Sequence, residues 1–123
     1  MSNQKRMCDR TVEFGCAVIG EYRRLDEADE AERVLWSELL KSQKSMIANS
    51  GESDGAHSRR DFVLKFQICL KEAREAAQLL RTLSRICPRR NRELQALTAQ
   101  CSEIIAVLVS SLKTAKRRIR KTD

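Results

Sequence analysis

Aromatic residues make up only 4% of this 123-residue sequence, proline occurs once and glycine four times. Few turn and strand residues remain, and this is the composition of a helical protein. Histidine occurs once, as His57. That excludes a di-iron bundle site, which needs Glu-x-x-His pairs. No two cysteines form a C-x-x-C pair, and there is no Walker motif, no G-x-G-x-x-G and no serine or cysteine nucleophile motif. Catalytic residues, metal ligands and cofactors are therefore expected to be none. No run approaches the ~18 uninterrupted apolar residues of a membrane span. The opening "MSNQKRMCDR" lacks the apolar core of a signal peptide, so a cytoplasmic protein is expected.

What the sequence has is charge. Charged residues make up 33%, the net charge is +7 and the pI is near 9.5. That balance favours polyanions: nucleic acid, an anionic membrane surface or an acidic protein. The length points to one domain over 1–123 with a single core. The five cysteines, Cys8, Cys16, Cys69, Cys87 and Cys101, are expected as free thiols filling apolar space rather than as disulfides or zinc ligands.

Four helical segments are predicted. The first covers about 9–24, with Asp9 as its cap and Val12, Cys16 and Ile19 on one face, off which lie Phe14, Val18 and Leu25. The second covers about 28–50, with a stripe of Ala31, Leu35, Leu39, Ser42, Met46 and Asn49. The third covers about 59–86, where Phe62, Phe66, Cys69, Ala73, Ala76, Leu80 and Leu83 alternate steps of four and three, as in a bundle seam. Ser58 and Asp61 form an S-x-x-D start signal. After Pro88, Asn91 caps a fourth helix over about 92–119, whose seam is Leu94, Leu97, Cys101, Ile104, Leu108, Ser111 and Ala115. Short connections and the lack of strand signals predict an all-α, antiparallel up-down-up-down four-helix bundle.

The stretch "SGESDGAHS" between the second and third helices is polar enough to suggest an active-site loop. It reads better as a turn, with Gly51 closing the helix in the left-handed conformation. Asn49 falls on the apolar seam and is expected to tie down the loop backbone. His57 is expected in solvent. Lys71, Glu72, Arg74 and Glu75 are expected in salt bridges on the solvent face or across subunits.

"LLKSQKSMIANSGES" followed by "SRRDFVLKFQICLKEAREAAQLL" resembles the small bacterial four-helix-bundle proteins encoded within intervening sequences of 23S ribosomal RNA genes. Leu39, Leu40, Ser42, Ser45, Ala48, Asn49 and Glu52 match that family's first motif. Ser58, Asp61, Phe62, Lys65, Ile68, Leu70 and the run Lys71 to Glu75 match its second. Lys44 stands where the family often has threonine, Ile47 where it usually has glycine, and Gln78 and Leu79 replace an aromatic pair. The resemblance covers about residues 10–118. It implies a ring-like homopentamer with no established enzymatic activity. It also implies kinship with accessory proteins of diversity-generating retroelements, which partner a reverse transcriptase and bind nucleic acid. An alternative role is therefore a scaffold for a polymerase or reverse transcriptase.

Apolar residues beyond the seams independently suggest self-association, because a monomer would expose an apolar patch. The expected interface residues are Trp36, Val63, Leu64, Ile68, Ile105, Val109 and Leu112, with Trp36 also readable as packing within the bundle. In such a bundle the N-terminus, the second loop and the C-terminal tail at about 113–123 share one end. The expected phosphate-binding residues there are Lys44, Arg59, Arg60, Lys113, Lys116, Arg117, Arg118, Arg120 and Lys121. Fewer acids oppose them: Asp9, Glu13, Glu52, Asp54, Asp61 and Asp123. The other end sets the acidic stretch from Asp26 to Glu32 against Arg85, Arg89, Arg90 and Arg92. A ring would repeat the basic end, giving a multivalent surface for RNA or DNA with weak sequence specificity. The opposing reading is a solubilising tail.

Overall fold

The computed structural model describes residues 5–122; Asp123, one of the acids assigned to the basic end, lies outside them. The described chain is all-helical, with no strand. Its helices are α1 (Met7–Arg23), α2 (Glu30–Ser53), α3 (Arg59–Ile86) and α4 (Asn91–Thr122), with a 3-10 turn at Pro88–Arg90.

The ends follow local chemistry. Asp29 caps α2, its side chain accepting from the Glu32 N–H at 2.9 Å. Ser58 caps α3 by accepting from the Asp61 N–H at 3.1 Å, as the start signal predicts. Asp9 is not a cap: α1 begins after Arg6, and Asp9 sits in its first turn, where the helix dipole favours an acid. Gly51 is not a left-handed stop. No glycine has a positive φ, and α2 continues two residues beyond Gly51. Ser50 and Ser53 hold that last stretch by donating to the carbonyls of Ile47 and Ser50. Asn91 is the first residue of α4 rather than a cap, because the 3-10 turn leads directly into it.

Each helix packs on two others: α1 on α2 and α4, and α3 on α2 and α4. The core holds Phe14, Val18, Leu39, Met46, Leu80, Leu94 and Leu108, all fully buried. The seams of α3 and α4 lie inward as predicted, with Phe66, Ala73, Leu97 and Ile104 buried.

Two faces differ from expectation. α1 has two apolar stripes, and the core takes the one with Phe14 and Val18, leaving Val12, Cys16 and Ile19 exposed. Gly15 lies on the buried stripe. A Cβ there would collide with the Gln43 amide and come within 2.8 Å of Ile47 Cδ1, so glycine lets α1 and α2 approach closely. In α2, the first turns are rotated by one residue. Glu32 and Trp36 are buried, while Ala31 is exposed and Leu35 half-buried. A buried glutamate is tolerated there because it is paired: Glu32 accepts from Trp36 Nε1 at 3.2 Å and from Arg90 Nε at 2.5 Å.

Candidate nucleic-acid interface

The basic end forms where the start of α1, the end of α2, the start of α3 and the end of α4 meet. Arg6 pairs with Asp54, and Lys65 reaches Glu52 at 2.9 Å. A small groove of about 280 Å³ is lined by Ser53, Ser58, Arg59, Phe62, Ala115 and Arg118.

The tail is helix rather than a loose extension, since α4 runs to Thr122. Ile119, half-buried, packs against the core and keeps the last turns docked. Cations near a helix C-terminus also interact favourably with its dipole. The helical state gives the tail a face. Lys113, Lys116, Arg117, Arg120 and Lys121 recur at steps of three, one, three and one, so they share one side. All five are exposed, and Ala115, on the opposite side, is buried. Arg118 falls off this stripe, into the groove that Arg59 also lines.

Of the described acids of this end, Glu13, Glu52, Asp54 and Asp61 are engaged elsewhere, while Asp9 lies exposed on α1. Glu13 holds Lys5 at 2.8 Å, Glu52 holds Lys65 and Asp54 holds Arg6. Asp61 accepts from the His57 N–H at 3.3 Å. No ion pair with a described residue involves Lys44, Arg59, Lys113, Lys116, Arg117, Arg120 or Lys121. Arg60 is exposed at the start of α3 beside Arg59, and it makes an interaction of its own. Lys44 is exposed partway along α2 and does not line the groove of Arg59 and Arg118. At the other end Arg89 and Arg90 contact Asp26, Arg89 also meets Glu27, and Arg90 meets Glu32. That end neutralises itself.

Several expected site residues take other roles. Trp36, Val63 and Leu112 lie in the chain's own core at 1%, 8% and 5% exposure, and of the three Leu112 also edges the open groove over α3. Their seams wrap farther round the helices than a strict four-and-three stripe. Leu64 is 51% exposed, and Ile68, Ile105 and Val109 are half-buried. Asn49 does not hold the loop, since its amide donates one turn back to the Ser45 carbonyl at 2.9 Å. The buried tie at that level is a 2.7 Å hydrogen bond between Thr11 and Ser50. His57 is exposed.

Lys71, Glu72, Arg74 and Glu75 form no salt bridge with one another among the described residues. Burial, and then the neighbouring Glu75, push the Glu72 carboxyl above its ordinary range. Lys71, Arg74 and Lys116 instead line a shallow open groove of about 890 Å³ over α3. The seven-residue spacing of Lys71 from Gln78, another lining residue, hinted at this surface, but the alternating charges hid it.

All five cysteines are free. Burial drives the Cys69 thiol up to about 12 and the Cys101 thiol up to about 11. Cys87 is also buried, whereas Cys16 is exposed and Cys8 half-buried, so those two do not fill the core. No metal-binding group of three His, Cys, Asp or Glu side chains occurs among the described residues.

The segment Pro88–Lys121 is long and apolar enough by length and composition to cross a membrane, with a mean hydropathy of 1.3 in its best window. No uninterrupted apolar run signals this, because polar residues punctuate it. A core helix meets the same criterion, and Leu94, Leu97, Ile104 and Leu108 of this segment lie in the core.

No family model matches the chain, and no curated protein matches it. A crystal structure of a protein of unknown function from the S23 ribosomal protein family of Bacteroides thetaiotaomicron, at 1.70 Å resolution, is similar to it, with a TM-score of 0.77. The two chains share 31% identity over 87% of this chain and 98% of that one. On that identity and coverage, the chain belongs to the S23 ribosomal protein family.

Proposed function

We propose that this chain is a non-enzymatic, self-associating helical protein that binds RNA or DNA through phosphates, with weak sequence specificity. The observation that carries this reading is the one-sided stripe of Lys113, Lys116, Arg117, Arg120 and Lys121, exposed and unpaired among the described residues. Glu13, Glu52 and Asp54 are held by other cations, so those three acids do not cancel the positive field of the stripe. A phosphate backbone is a repeating anion that such a stripe can follow, releasing counterions as it binds. Only Tyr22 among the large aromatics is exposed, and it lies on α1. At the basic end the one aromatic lining the groove, Phe62, is half-buried and packed on Phe66, so base stacking is confined and readout stays mainly with phosphates.

The proposed architecture is an antiparallel up-down-up-down bundle. It is supported by the contacts of Thr11 with Ser50, of Cys69 Sγ with the Met46 carbonyl and of Cys101 Sγ with the Ala73 carbonyl. We assign the chain to the branch of its family encoded within 23S ribosomal RNA intervening sequences, on the motif residues from Leu39 to Glu75. Assembly into a ring of five follows from that assignment, and the exposed Val12, Ile19 and Leu64 favour self-association. The compartment is reducing, as the cytoplasm is, so five free thiols persist. Fluorescence anisotropy with labelled RNA and DNA across a salt series tests the function. Binding that weakens steeply with salt, alike for unrelated sequences, is expected. No binding at low salt would overturn it.

A further inference from the structure

One face of α1 has no packing partner. Asp9, Val12, Cys16, Ile19 and Arg23 recur at steps of three and four, so they form one stripe along the helix. All are exposed, and Met7, Phe14 and Val18 fill the core on the other face. From start to end the stripe reads acid, apolar, thiol, apolar, base. Neither Asp9 nor Arg23 has an ion pair with a described residue.

α3 does not pack against α1, and it carries the second unpartnered surface. Leu70 and Leu79 give the shallow groove its apolar lining. Lys71 and Lys116 bound it towards the start of α3, and Glu75 and Glu38, with Arg74 beside them, lie farther along. Leu64 extends the exposed apolar surface beyond it. Thr11 meets Ser50 and Lys65 meets Glu52, so the starts of α1 and α3 lie at the same end of the molecule.

A copy rotated about an axis along the helices would set Asp9 against the Lys71 and Lys116 end. Its Val12 and Ile19 would meet the apolar lining, and Arg23 would meet Glu75. We infer that the α1 stripe of one copy docks in the α3 groove of the next. The match in charge order along both surfaces selects a second copy over an unrelated partner. The contact joins two different faces, so it repeats around a closed ring and leaves the tail stripes at one end. This inference rests on the self-association proposed above.

The test uses the full chain and light scattering at micromolar concentration, with circular dichroism to verify folding. Ile19→Arg, at an exposed position, should shift the mass to that of the 14.1 kDa chain. Arg23→Glu and Glu75→Arg should each weaken assembly by about tenfold or more, as like charges meet across the contact. The double variant carrying both should recover assembly to within about threefold of the parent, because the ion pair is rebuilt in reverse. Recovery would establish the pairing of α1 with α3. Singles that assemble like the parent, or a double no better than either single, would overturn the docking mode while leaving self-association intact. A parent chain that stays at 14.1 kDa at every concentration would overturn self-association itself, and the docking with it.

Discussion

Glu32, Trp36 and Arg90 form a buried polar cluster that closes the end of the molecule away from the tail. Removing the carboxylate leaves a guanidinium that is 13% exposed without its main partner. Glu32→Ala should cost about 3 kcal/mol, the scale for breaking a buried pair, whereas Asp26→Ala, at an exposed acid, should cost under about 1 kcal/mol. Urea denaturation of both variants checks this. Ala73 is fully buried, and its carbonyl accepts from Cys101 Sγ at 3.2 Å. Ala73→Phe should therefore overpack the seam by about 1–3 kcal/mol, and an unchanged denaturation midpoint would contradict this packing. The buried thiols bind their protons more tightly folded than unfolded. Their contribution is complete below about pH 9 and is lost as pH rises towards about 12 for Cys69 and about 11 for Cys101. Thermal midpoints should fall across that window, less so in Cys69→Ala. Glu72 has the same sign in the carboxylate range, because folding favours its neutral form. Glu72→Gln should raise the midpoint at pH 7, with the gain vanishing at about pH 3, where both forms are neutral. At this scale Ala73 and Ser58 were legible from spacing and capping chemistry. Glu32 was not, because a charge looks solvent-facing until its partner, more than fifty residues away, is in place.

The bounds of α3 match the periodic seam of Phe62 to Leu83, because seven apolar positions and a serine cap all point to one register. α1 was less legible. Its 17 residues carry two apolar stripes, and periodicity cannot say which one faces inward. The close approach at Gly15 resolves it, and that depends on tertiary contact. Gly15→Leu should separate α1 from α2, costing about 1–3 kcal/mol by overpacking, whereas Gly20→Ala should be tolerated, since its Cβ would meet only the Arg24 guanidinium at 3.5 Å. Chemical denaturation of the two variants distinguishes them. The end of α4 also exceeded expectation. Its basic residues lack apolar periodicity, but one half-buried side chain, Ile119, continues the seam. Truncation after Ala115 would remove that anchor as well as the charges, so side-chain neutralisation is the cleaner probe.

For the whole molecule, the sequence carried the helix order, the polarity of its two ends and a surplus of apolar surface. It did not carry which apolar residues the surplus comprised. Trp36, Val63 and Leu112 turned inward, and Val12, Ile19 and Tyr22 stayed exposed. A ring would set several tail stripes side by side, so that binding one strand segment raises the local concentration for the next. On the proposed function the surfaces divide the work, with α1 and α3 for assembly and the end of α4 for phosphate. The decisive measurement is the salt dependence of RNA and DNA binding for the parent chain and for a variant with Lys113, Arg117, Arg120 and Lys121 all changed to Gln, Lys116 being kept because it also lines the groove over α3. The account predicts that the variant folds and assembles like the parent, binds far more weakly to every sequence, and loses up to about 3.6 from its log–log salt slope on duplex DNA, or up to about 2.8 on single strands. A folded, assembled variant with the parent's affinity and slope would contradict it.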